Sequence, residues 1–442
     1  MPTTHVEQVE SEIRSESLMR YERRELGRVG DGSGGTTLVV VGGVHGNEQA
    51  GLIAGQRVLD RLAELEDSIM TGRLVVLAGN LSALNHVDPE MRYIDHDLNR
   101  MCREERFAQP ADTSVEHGEM FGLFDALESI HESCRAAEHE MVVLDLHTTS
   151  APSRPVVAFE DSILARVHAM RMPCPKYLGI EEEAEGLVID AVTHRLGCVS
   201  YLIEGGQHTD PVSIDVHEAA IWIALDTAGI VGQELSGGDP MGLMRRASLD
   251  RGRVVYDVRH REPIVHEDFS INDGIETGTV VVPNITVIAM QDGMKVYAPI
   301  RGLVFLPNMQ KHKRVGDDGF FLVRKISPGW VNLSARLRRQ HWVHWLIRLM
   351  PGVYVPKDGD GCELLVDADL ACVLRRQVFH LIGYRLVRHD GREGGVGLVR
   401  ALNGVKAFVR ALVRGPIRGD DGDGPNREDP RFWIVRRRKL DC

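Results

Sequence analysis

His45 and Glu48 stand three residues apart in the stretch GGVHGNEQAG, where an apolar run gives way to a helical pattern. Imidazole nitrogen and carboxylate oxygen are ligands for zinc, and catalytic zinc sites use three protein ligands and leave one position open. His147 in MVVLDLHTTS offers a third ligand, and strand alternation puts Asp145 on the same side, where it can orient a histidine. A lone histidine at a strand end is more often structural, but two such strand ends favour a metal site.

Other polar residues suit hydrolysis at such a site. Glu204 follows the apolar run in CVSYLIEGG and is placed to act as a general base, the alternative being a solvated loop carboxylate. The stretch MRYIDHDLNR contributes Arg92, Asn99 and Arg100. Arginine can hold a carboxylate through two parallel hydrogen bonds, to which asparagine adds a donor. The same stretch also fits a helix N-terminus with a surface arginine, and the residues alone leave both interpretations open.

The elements that must position these residues alternate between strands and helices over residues 37–232. Five apolar runs predict strands: TLVVVGGV, GRLVVLAGN, MVVLDLH, RPVVAFE and CVSYLIEGG. Helical patterns lie between them at 48–65, 117–138 and 215–227. Short apolar runs separated by helices predict a largely buried sheet of the α/β class.

Changes in composition predict four regions. Residues 1–36 form a polar N-terminal arm, 37–240 an α/β domain, and 241–330 a β-rich domain with strand-like runs broken by Gly, Pro and Asn. Residues 331–442 form a basic, partly helical extension with a flexible tail. Its helical patterns are LSARLRRQHWVHWLIRLMPG, DADLACVLRRQVFHLIGYRLVRH and VGLVRALNGVKAFVRALVRG.

Charge and composition narrow the classes of function. The net charge of −12 divides into −20 over residues 1–330 and +8 over 331–442, which marks the last quarter as a separate unit. The acidic main part argues against nucleic-acid binding. Apolar stretches are too short to span a bilayer, and the N-terminus has no secretory pattern. Seven scattered cysteines without a CxxC pair suit a reducing compartment, so we expect a cytoplasmic protein.

Four motifs in this order, GGVHGNEQAG, RYIDHDLNR, DLHTTS and IEGG, resemble the succinylglutamate desuccinylase/aspartoacylase family of zinc-carboxypeptidase-like hydrolases. The resemblance covers residues 37–330 and implies an α/β/α zinc domain with a mixed central sheet, followed by a smaller β domain that shapes the pocket. It implies one zinc ion per chain, with three ligands: His45, Glu48 and His147. Glu204 would be the general base, Arg92 would stabilise the oxyanion, and Asn99 and Arg100 would hold a substrate carboxylate.

Two further residues follow the family pattern less closely. Aspartoacylase-like members carry another arginine upstream of the base, for which Arg195 is the nearest candidate, although its spacing is shifted. Tyr297 is a candidate for a pocket tyrosine, and a packed strand tyrosine is the alternative. In the basic extension, Trp342, Trp345 and Leu346 lie near arginines. We expect that face to pack on the protein itself rather than on a membrane or an acidic partner.

The sequence thus predicts a zinc-dependent hydrolase that cleaves an amide bond, with ester bonds as a further possibility, in an N-acyl amino acid or a similar small carboxylate-bearing molecule. A zinc carboxypeptidase acting on peptides is the alternative within hydrolases. A catalytically silent binding module that uses the basic extension is the alternative outside enzymes. We expect a small-molecule substrate, no nucleic acid, no transmembrane segment and possible self-association.

Overall fold

The computed structural model describes residues 20–32, 34–65, 69–110, 113–347, 353–355, 363–367, 379–387 and 432–437. The described residues divide into two compact units, one within 1–160 and 165–325 and the other within 161–164 and 326–442. No helix among the described residues is long and apolar enough to cross a membrane.

The strands are numbered in chain order. They are β1 Glu25–Val29, β2 Thr37–Gly42, β3 Arg73–Ala78, β4 Met141–Thr149, β5 Val156–Phe159, β6 Lys176–Leu178, β7 Val199–Gln207, β8 Val255–Pro263, β9 Ser270–Ile271, β10 Val280–Val281, β11 Val287–Gln291, β12 Met294–Tyr297, β13 Gly302–Phe305, β14 Asp318–Ile326, β15 Val353–Tyr354, β16 Glu363–Asp367, β17 Tyr384–Val387 and β18 Phe432–Arg437.

The α-helices are numbered in the same way. They are α1 Ala50–Ala63, α2 Leu81–Leu84, α3 Glu104–Ala108, α4 Val115–Ala136, α5 Ile163–Ala169, α6 Ile180–Glu183, α7 Val188–Ala191, α8 Val212–Thr227, α9 Pro240–Ala247, α10 Pro328–Arg338 and α11 His341–Ile347. Short 3-10 turns occupy Leu98–Arg100 and Gln233–Ser236, and a π-helical turn occupies Val192–Leu196.

The larger unit is built on an eleven-stranded mixed sheet in the order β1-β3-β2-β4-β7-β5-β6-β8-β14-β13-β10. Strands β3, β2, β4 and β7 run parallel, and β1 and β5 run antiparallel to their neighbours in this group. The residues of β2 and β4 are all buried, which is typical of a parallel strand covered on both faces. The predicted α/β class with a mixed central sheet is confirmed, as are its five strands and three long helices.

The two faces of the sheet carry different helices. Val39 and Val41 of β2 pack with Leu123 and Leu127 of α4 in one apolar core. Because side chains alternate along a strand, the intervening residues of β2 face the other side, where α1 and α8 pack together. The result is a three-layer α/β/α arrangement in which the carboxyl ends of the parallel strands share one edge.

The region 241–330 does not separate from the α/β part, which corrects the expected boundary at residue 240. Strand β8 pairs with β6, and β14, β13 and β10 extend the same sheet beyond it. A second, three-stranded sheet is formed by β12, β11 and β9. Both parts therefore belong to one compact unit, because backbone hydrogen bonds continue from one into the other.

Residues 25–29 form β1 at the sheet edge, so the prediction of a polar N-terminal arm is wrong for these residues. Arg24 next to this strand donates to Glu119 Oε2 at 2.5 Å and to the carbonyl of Ala78 at 2.9 Å. These contacts connect residues that are far apart in sequence and leave no local pattern. Residues 1–19 lie outside the described part of the chain.

The smaller unit differs from the helical extension that the sequence predicts. Helices α10 and α11 are present, but Tyr384–Val387 and Phe432–Arg437 are strands of a four-stranded sheet in the order β15-β16-β18-β17. The helix expected over 384–387 and the flexible tail expected over 432–437 are therefore corrected. The reason is that β18 pairs with both β16 and β17, which are distant in sequence. The third helical pattern, within 396–415, lies outside the described residues.

The tryptophans of α11 also depart from expectation. Trp342 and Trp345 are 59% and 63% exposed, whereas Val343 and Ile347 of the same helix are buried in the core of this unit. The expected packing of the tryptophans on the protein is therefore wrong among the described residues. The side chain of Leu346 is outside the described part of the structure.

Candidate active site

Three side chains suited to bind a metal meet at the carboxyl ends of β2 and β4. His45 lies in the turn after β2, Glu48 just before α1, and His147 near the end of β4. Their ligand atoms lie within 4.8 Å of one another, and all three residues are buried. Since β2 and β4 are adjacent and parallel, the fold brings these residues to one edge of the sheet.

Each histidine of this cluster directs one ring nitrogen at Glu48 and the other at a further carboxylate. Nδ1 of His45 and Nδ1 of His147 lie 2.9 and 3.0 Å from the two oxygens of Glu48. Nε2 of His147 lies 2.9 Å from Asp145, and Nε2 of His45 lies 3.1 Å from Asp97. A carboxylate behind the imidazole fixes its orientation and raises its basicity, as is usual for metal-binding histidines.

The donor set and its charges fit a divalent cation. Burial raises the pKa of Glu48, but His45 and His147 lower it well below its ordinary value, so the buried carboxylate is ionised. Burial lowers the pKa of His147, whereas Asp145 and Glu48 raise it well above its ordinary value. Positive charge is thus favoured among these carboxylates. Two imidazoles and one carboxylate are also a ligand set of catalytic zinc sites.

Glu204 occupies the neighbouring strand β7, where it is the register partner of His147. It is partly buried and lines the same cleft as His45, Glu48 and His147. Burial raises the pKa of Glu204 to about 8, and its Oε2 has no hydrogen-bond partner among the described residues. A carboxylate with a pKa near neutrality and an unused acceptor is suited to accept a proton from a substrate or water.

Arg92 reaches the cluster from the irregular segment that precedes the 3-10 turn. It donates from Nη1 to Glu48 Oε1 at 2.9 Å and from Nη2 to Asp97 Oδ2 at 3.1 Å. Burial opposes its charge, but Asp97 and Glu48 raise the pKa of Arg92 above its ordinary value, so the guanidinium stays charged. A charged donor fixed beside the cluster is placed to stabilise an oxyanion formed there.

One buried carboxylate fixes the irregular segment that carries Arg92. Glu116 of α4 accepts hydrogen bonds from three consecutive backbone amides, those of residues 94–96, at 2.6, 2.9 and 3.1 Å. It also accepts from Asn80 Nδ2 at 3.2 Å. Charge-assisted bonds to backbone amides hold a loop without regular structure, and this explains how a segment with little periodicity presents a fixed arginine.

Asn99 and Arg100 both line the cleft, but their hydrogen bonds are partly used within the protein. Asn99 Oδ1 accepts from the backbone amide of Val188 at 2.8 Å. Arg100 donates to the carbonyl of Asn99 and to Oδ2 of Asp318. The structure brings both residues to the cleft, and one carboxylate of the protein already pairs with the arginine.

Arg195 and Tyr297 are not brought to the cleft, which corrects both predictions. Arg195 pairs with Glu104 at 3.1 Å and Glu128 at 3.3 Å, and its guanidinium lies 3.9 Å above the Phe107 ring. Tyr297 is on β12 of the three-stranded sheet and is 44% exposed. Acidic partners on neighbouring helices hold the arginine, and the separate sheet carries the tyrosine elsewhere.

Several residues of the cleft are not among those predicted from the sequence. Asp97 stands in the same motif as Arg92, and this position is the sequence signal that could have identified it. In the structure it contacts both His45 and Arg92. Thr148, whose backbone amide donates to Glu48 Oε2 at 3.0 Å, follows His147 directly. Asp317 and Asp318 come from the region around β14, more than two hundred residues after Arg92, and no local pattern marks them.

The cleft around these groups is lined by charged, polar and apolar residues. Besides the charged groups, its wall includes apolar side chains and neutral amides: Ile180, Leu187, Leu202, Leu306, Asn308, Gln310 and Phe321. The cleft is therefore lined by both charged and neutral groups, and it can bind a molecule with one charged and one neutral part.

Comparison with known families matches residues 34–180 to the succinylglutamate desuccinylase/aspartoacylase catalytic domain. This segment contains the cluster of His45, Glu48 and His147, together with Arg92, Asn99 and Arg100. Residues 34–180 are similar to the catalytic domain of this family. The family resemblance inferred from the four motifs is thereby confirmed, and the match supports a hydrolytic deacylase of the desuccinylase/aspartoacylase type. No curated protein matches the sequence of this desuccinylase/aspartoacylase-like chain.

Solved structures that resemble this chain include a succinylglutamate desuccinylase/aspartoacylase from Rhodobacter sphaeroides, with 18% identity, a TM-score of 0.48 and coverage of 66% of this chain and 87% of that one. A succinylglutamate desuccinylase from Vibrio parahaemolyticus has 14% identity, a TM-score of 0.46 and coverage of 67% and 83%. Murine aminoacylase 3 has 16% identity, a TM-score of 0.44 and coverage of 66% and 96%.

Proposed function

We propose that this protein is a zinc-dependent hydrolase that cleaves the amide bond of an N-acyl amino acid or a similar small molecule with a carboxylate. One observation carries the proposal: the fold collects His45, Glu48 and His147 on adjacent strand ends and places Glu204 and Arg92 beside them. Five chemically suited side chains from distant parts of the sequence share one cleft. The family match over residues 34–180 supports the same reaction class.

Zinc is the metal that we propose, with one ion held by His45, Glu48 and His147. A bound zinc ion supplies Lewis acidity, which polarises a carbonyl group and favours the ionisation of water. Asp145 and Asp97 behind the two imidazoles fix the ring orientations. The protein's own contribution is therefore a rigid ligand set beside the cleft.

Proton transfer is the proposed role of Glu204. Its carboxylate takes a proton from the attacking water, whose oxygen forms a bond to the carbonyl carbon. The same group then passes the proton to the amide nitrogen as the carbon–nitrogen bond breaks, so that a free acid and an amine leave. A carboxyl group whose pKa burial has raised to about 8 both accepts and returns a proton near neutral pH.

Charge stabilisation is the proposed role of Arg92. Negative charge develops on the former carbonyl oxygen during attack, and a fixed cation beside it lowers the barrier without reorganisation. Glu48 and Asp97 hold the guanidinium in place before substrate arrives. Arg100, with Asn99 beside it, is proposed to bind the substrate carboxylate.

The first experiment measures metal content in the purified wild-type protein and in His147→Ala. We expect about one zinc per chain in the wild type and little in the variant, because three protein ligands are needed for a stable site. Glu204→Gln serves as the control, since it removes the proposed base and leaves the three ligands intact. Wild-type protein that takes up no zinc when zinc is offered would contradict the proposal.

The second experiment measures hydrolysis of two groups of substrates by zinc-loaded protein: N-acetyl amino acids, and dipeptides with a free C-terminal carboxylate. We expect release of acetate from the N-acetyl compounds, and a decrease in kcat of about 10²- to 10⁴-fold in Glu204→Gln with zinc retained. Faster cleavage of the peptides would favour a carboxypeptidase. Absence of any hydrolysis by a zinc-loaded wild type would rule out the proposed reaction.

A further inference from the structure

Asp318 forms an ion pair with Arg100, the arginine proposed to bind the substrate carboxylate. Oδ2 of Asp318 accepts a hydrogen bond from Nη2 of Arg100, and Oδ1 accepts one from Nε of Arg261. The three side chains are only 15–20% exposed. Burial raises the pKa of Asp318, but Arg100 and Arg261 lower it below its ordinary value, so the carboxylate is ionised and bridges two cations.

The remaining donors of Arg100 and Arg261 are also partly used. Arg100 donates to the carbonyl of Asn99, and Arg261 donates to the carbonyl of Gly316 at 2.9 Å. A guanidinium has five N–H donors, so Arg100 retains donors for one incoming carboxylate. Its charge, however, is shared with Asp318 before any substrate arrives.

The charged residues that line the cleft include more carboxylates than arginines. Its five carboxylates, Glu48, Asp97, Glu204, Asp317 and Asp318, stand against two arginines, Arg92 and Arg100. Arg92 is engaged by Glu48 and Asp97, and Arg195 lies elsewhere, paired with Glu104 and Glu128. No arginine lining the described cleft is left for a second substrate carboxylate.

We infer that Asp318 is a specificity-determining residue that restricts the cleft to acylated substrates with a single carboxylate. The inference rests on the proposed deacylase function and names its substrate class: N-acyl amino acids with a neutral side chain and a neutral acyl group. Arg100 binds the one carboxylate. A second carboxylate meets Asp318, which already pairs with Arg100, and repulsion at short range in a partly buried site disfavours it. Leu306, Asn308 and Gln310 also line the cleft, carry no charge and are proposed to contact the neutral part of the substrate.

The test compares substrates that differ only in one charge. Hydrolysis of N-acetylglutamine and N-acetylglutamate is measured with wild-type protein, together with the pair N-acetylasparagine and N-acetylaspartate. We expect kcat/KM at least tenfold higher for the amide member of each pair. In Asp318→Asn, which releases Arg100 and Arg261, the ratio should fall at least tenfold. The double variant Asp318→Asn/Arg100→Gln should lose most of that gain for the dicarboxylates.

The matched control is Asp317→Asn, which removes a neighbouring charge of the same cleft. Asp317 accepts from the Tyr93 hydroxyl at 2.5 Å and from the Arg314 amide at 2.9 Å, so its loss releases no arginine from an ion pair. We expect the substrate ratio to change at most threefold. An equal effect of both variants would overturn the inference, because general charge rather than the Arg100 pairing would then set the preference.

A binding measurement without turnover distinguishes failure of this inference from failure of the proposed reaction. Calorimetry of the same pairs with zinc-loaded Glu204→Gln protein reports preference without turnover. Preferred binding of the amide members without hydrolysis by the wild type would leave the inference standing and rule out the proposed reaction. Hydrolysis of both members at equal kcat/KM, or binding of neither, would overturn the inference. If Asp318→Asn fails to fold, Asp318→Ser is measured instead, and an unchanged substrate ratio in that variant would overturn the inference.

Discussion

At the scale of single residues, the carboxylates behind the histidines control the proposed metal affinity although they are not ligands. We predict that Asp145→Asn weakens zinc binding about 10- to 100-fold, because the amide no longer orients and polarises His147. Asp125→Asn is the control, since Asp125 is an exposed aspartate on α4. Competition with a chelator of known affinity measures the change, and equal affinities of the two variants would contradict the prediction.

His217 gives the molecule a defined acid sensitivity. It is fully buried on α8, and its Nε2 lies 2.9 Å from the carbonyl oxygen of His147. Burial lowers its pKa from 6.5 to about 4. The unfolded chain therefore takes up this proton first as the pH falls, and the stability that depends on neutral His217 is complete above pH 6.5 and is lost towards pH 4.

We predict that His217→Gln flattens this part of the stability profile, because glutamine does not titrate and can still donate to the carbonyl. Between pH 6.5 and pH 4 the wild type should lose about 3 kcal/mol more free energy of unfolding than the variant. Urea unfolding of metal-free protein at several pH values measures the difference. Parallel profiles of the two proteins would show that His217 does not carry the effect.

At the scale of elements, the turn from β2 to α1 depends on close backbone approach. A Cβ on Gly46 would lie 2.4 Å from the carbonyl oxygen of Ala83, a contact that requires the backbone to move. We predict that Gly46→Ala destabilises the protein by about 1–3 kcal/mol and weakens zinc binding, because His45 is the adjacent residue. Urea unfolding and metal content measure the two effects.

Gly118 of α4 is the matched control, because a Cβ there meets no atom within 4 Å and the position is exposed. Alanine is the better helix former, so Gly118→Ala should stabilise the protein by about 0.5–1 kcal/mol. A lower free energy of unfolding in Gly46→Ala and a higher one in Gly118→Ala would confirm that the close contact at Gly46, rather than the loss of a glycine, causes the destabilisation. A neutral Gly46→Ala would show that the turn tolerates the movement.

The same elements show what the sequence could predict. The runs that became β2, β3, β4, β5 and β7 are continuous and apolar because their strands are buried on both faces. Ligands at strand ends follow from local order, so His45, Glu48 and His147 were placed together correctly. Short elements such as β6, with three residues, leave too little pattern to detect.

Contacts between distant segments cannot be predicted from the local sequence pattern, for a physical reason. Arg195 resembles a binding residue by position, yet its charge is satisfied by Glu104 and Glu128, which only the packing of helices brings near. Asp318 joins Arg100 across 218 residues. Pairing of this kind depends on the sheet continuing from β8 to β14, and single-sequence periodicity carries no information about it.

At the scale of the whole molecule, the chain combines two units of opposite charge, with −20 over residues 1–330 and +8 over 331–442. The division between the compact units falls at residues 325 and 326, close to this change. All residues of the proposed active site belong to the larger unit. The smaller unit has its own sheet and its own apolar core, which includes Val343, Leu364 and Tyr384.

Within the smaller unit, Arg338 of α10 forms a buried ion pair with Asp161 at 2.6 Å, and both side chains are 0–1% exposed. Its Nη2 also donates to the carbonyl of His380 at 2.9 Å. Removing one partner leaves the other charge buried, so Arg338→Ala should destabilise this unit by about 3–5 kcal/mol.

Arg336 is exposed on the same helix, and Arg336→Ala should change stability by no more than about 0.5 kcal/mol. Hydrogen exchange of 363–367 and 384–387 measures the loss in the full chain, while zinc content reports on the larger unit. Equal protection in the two variants would mean that Asp161 finds another partner when Arg338 is absent.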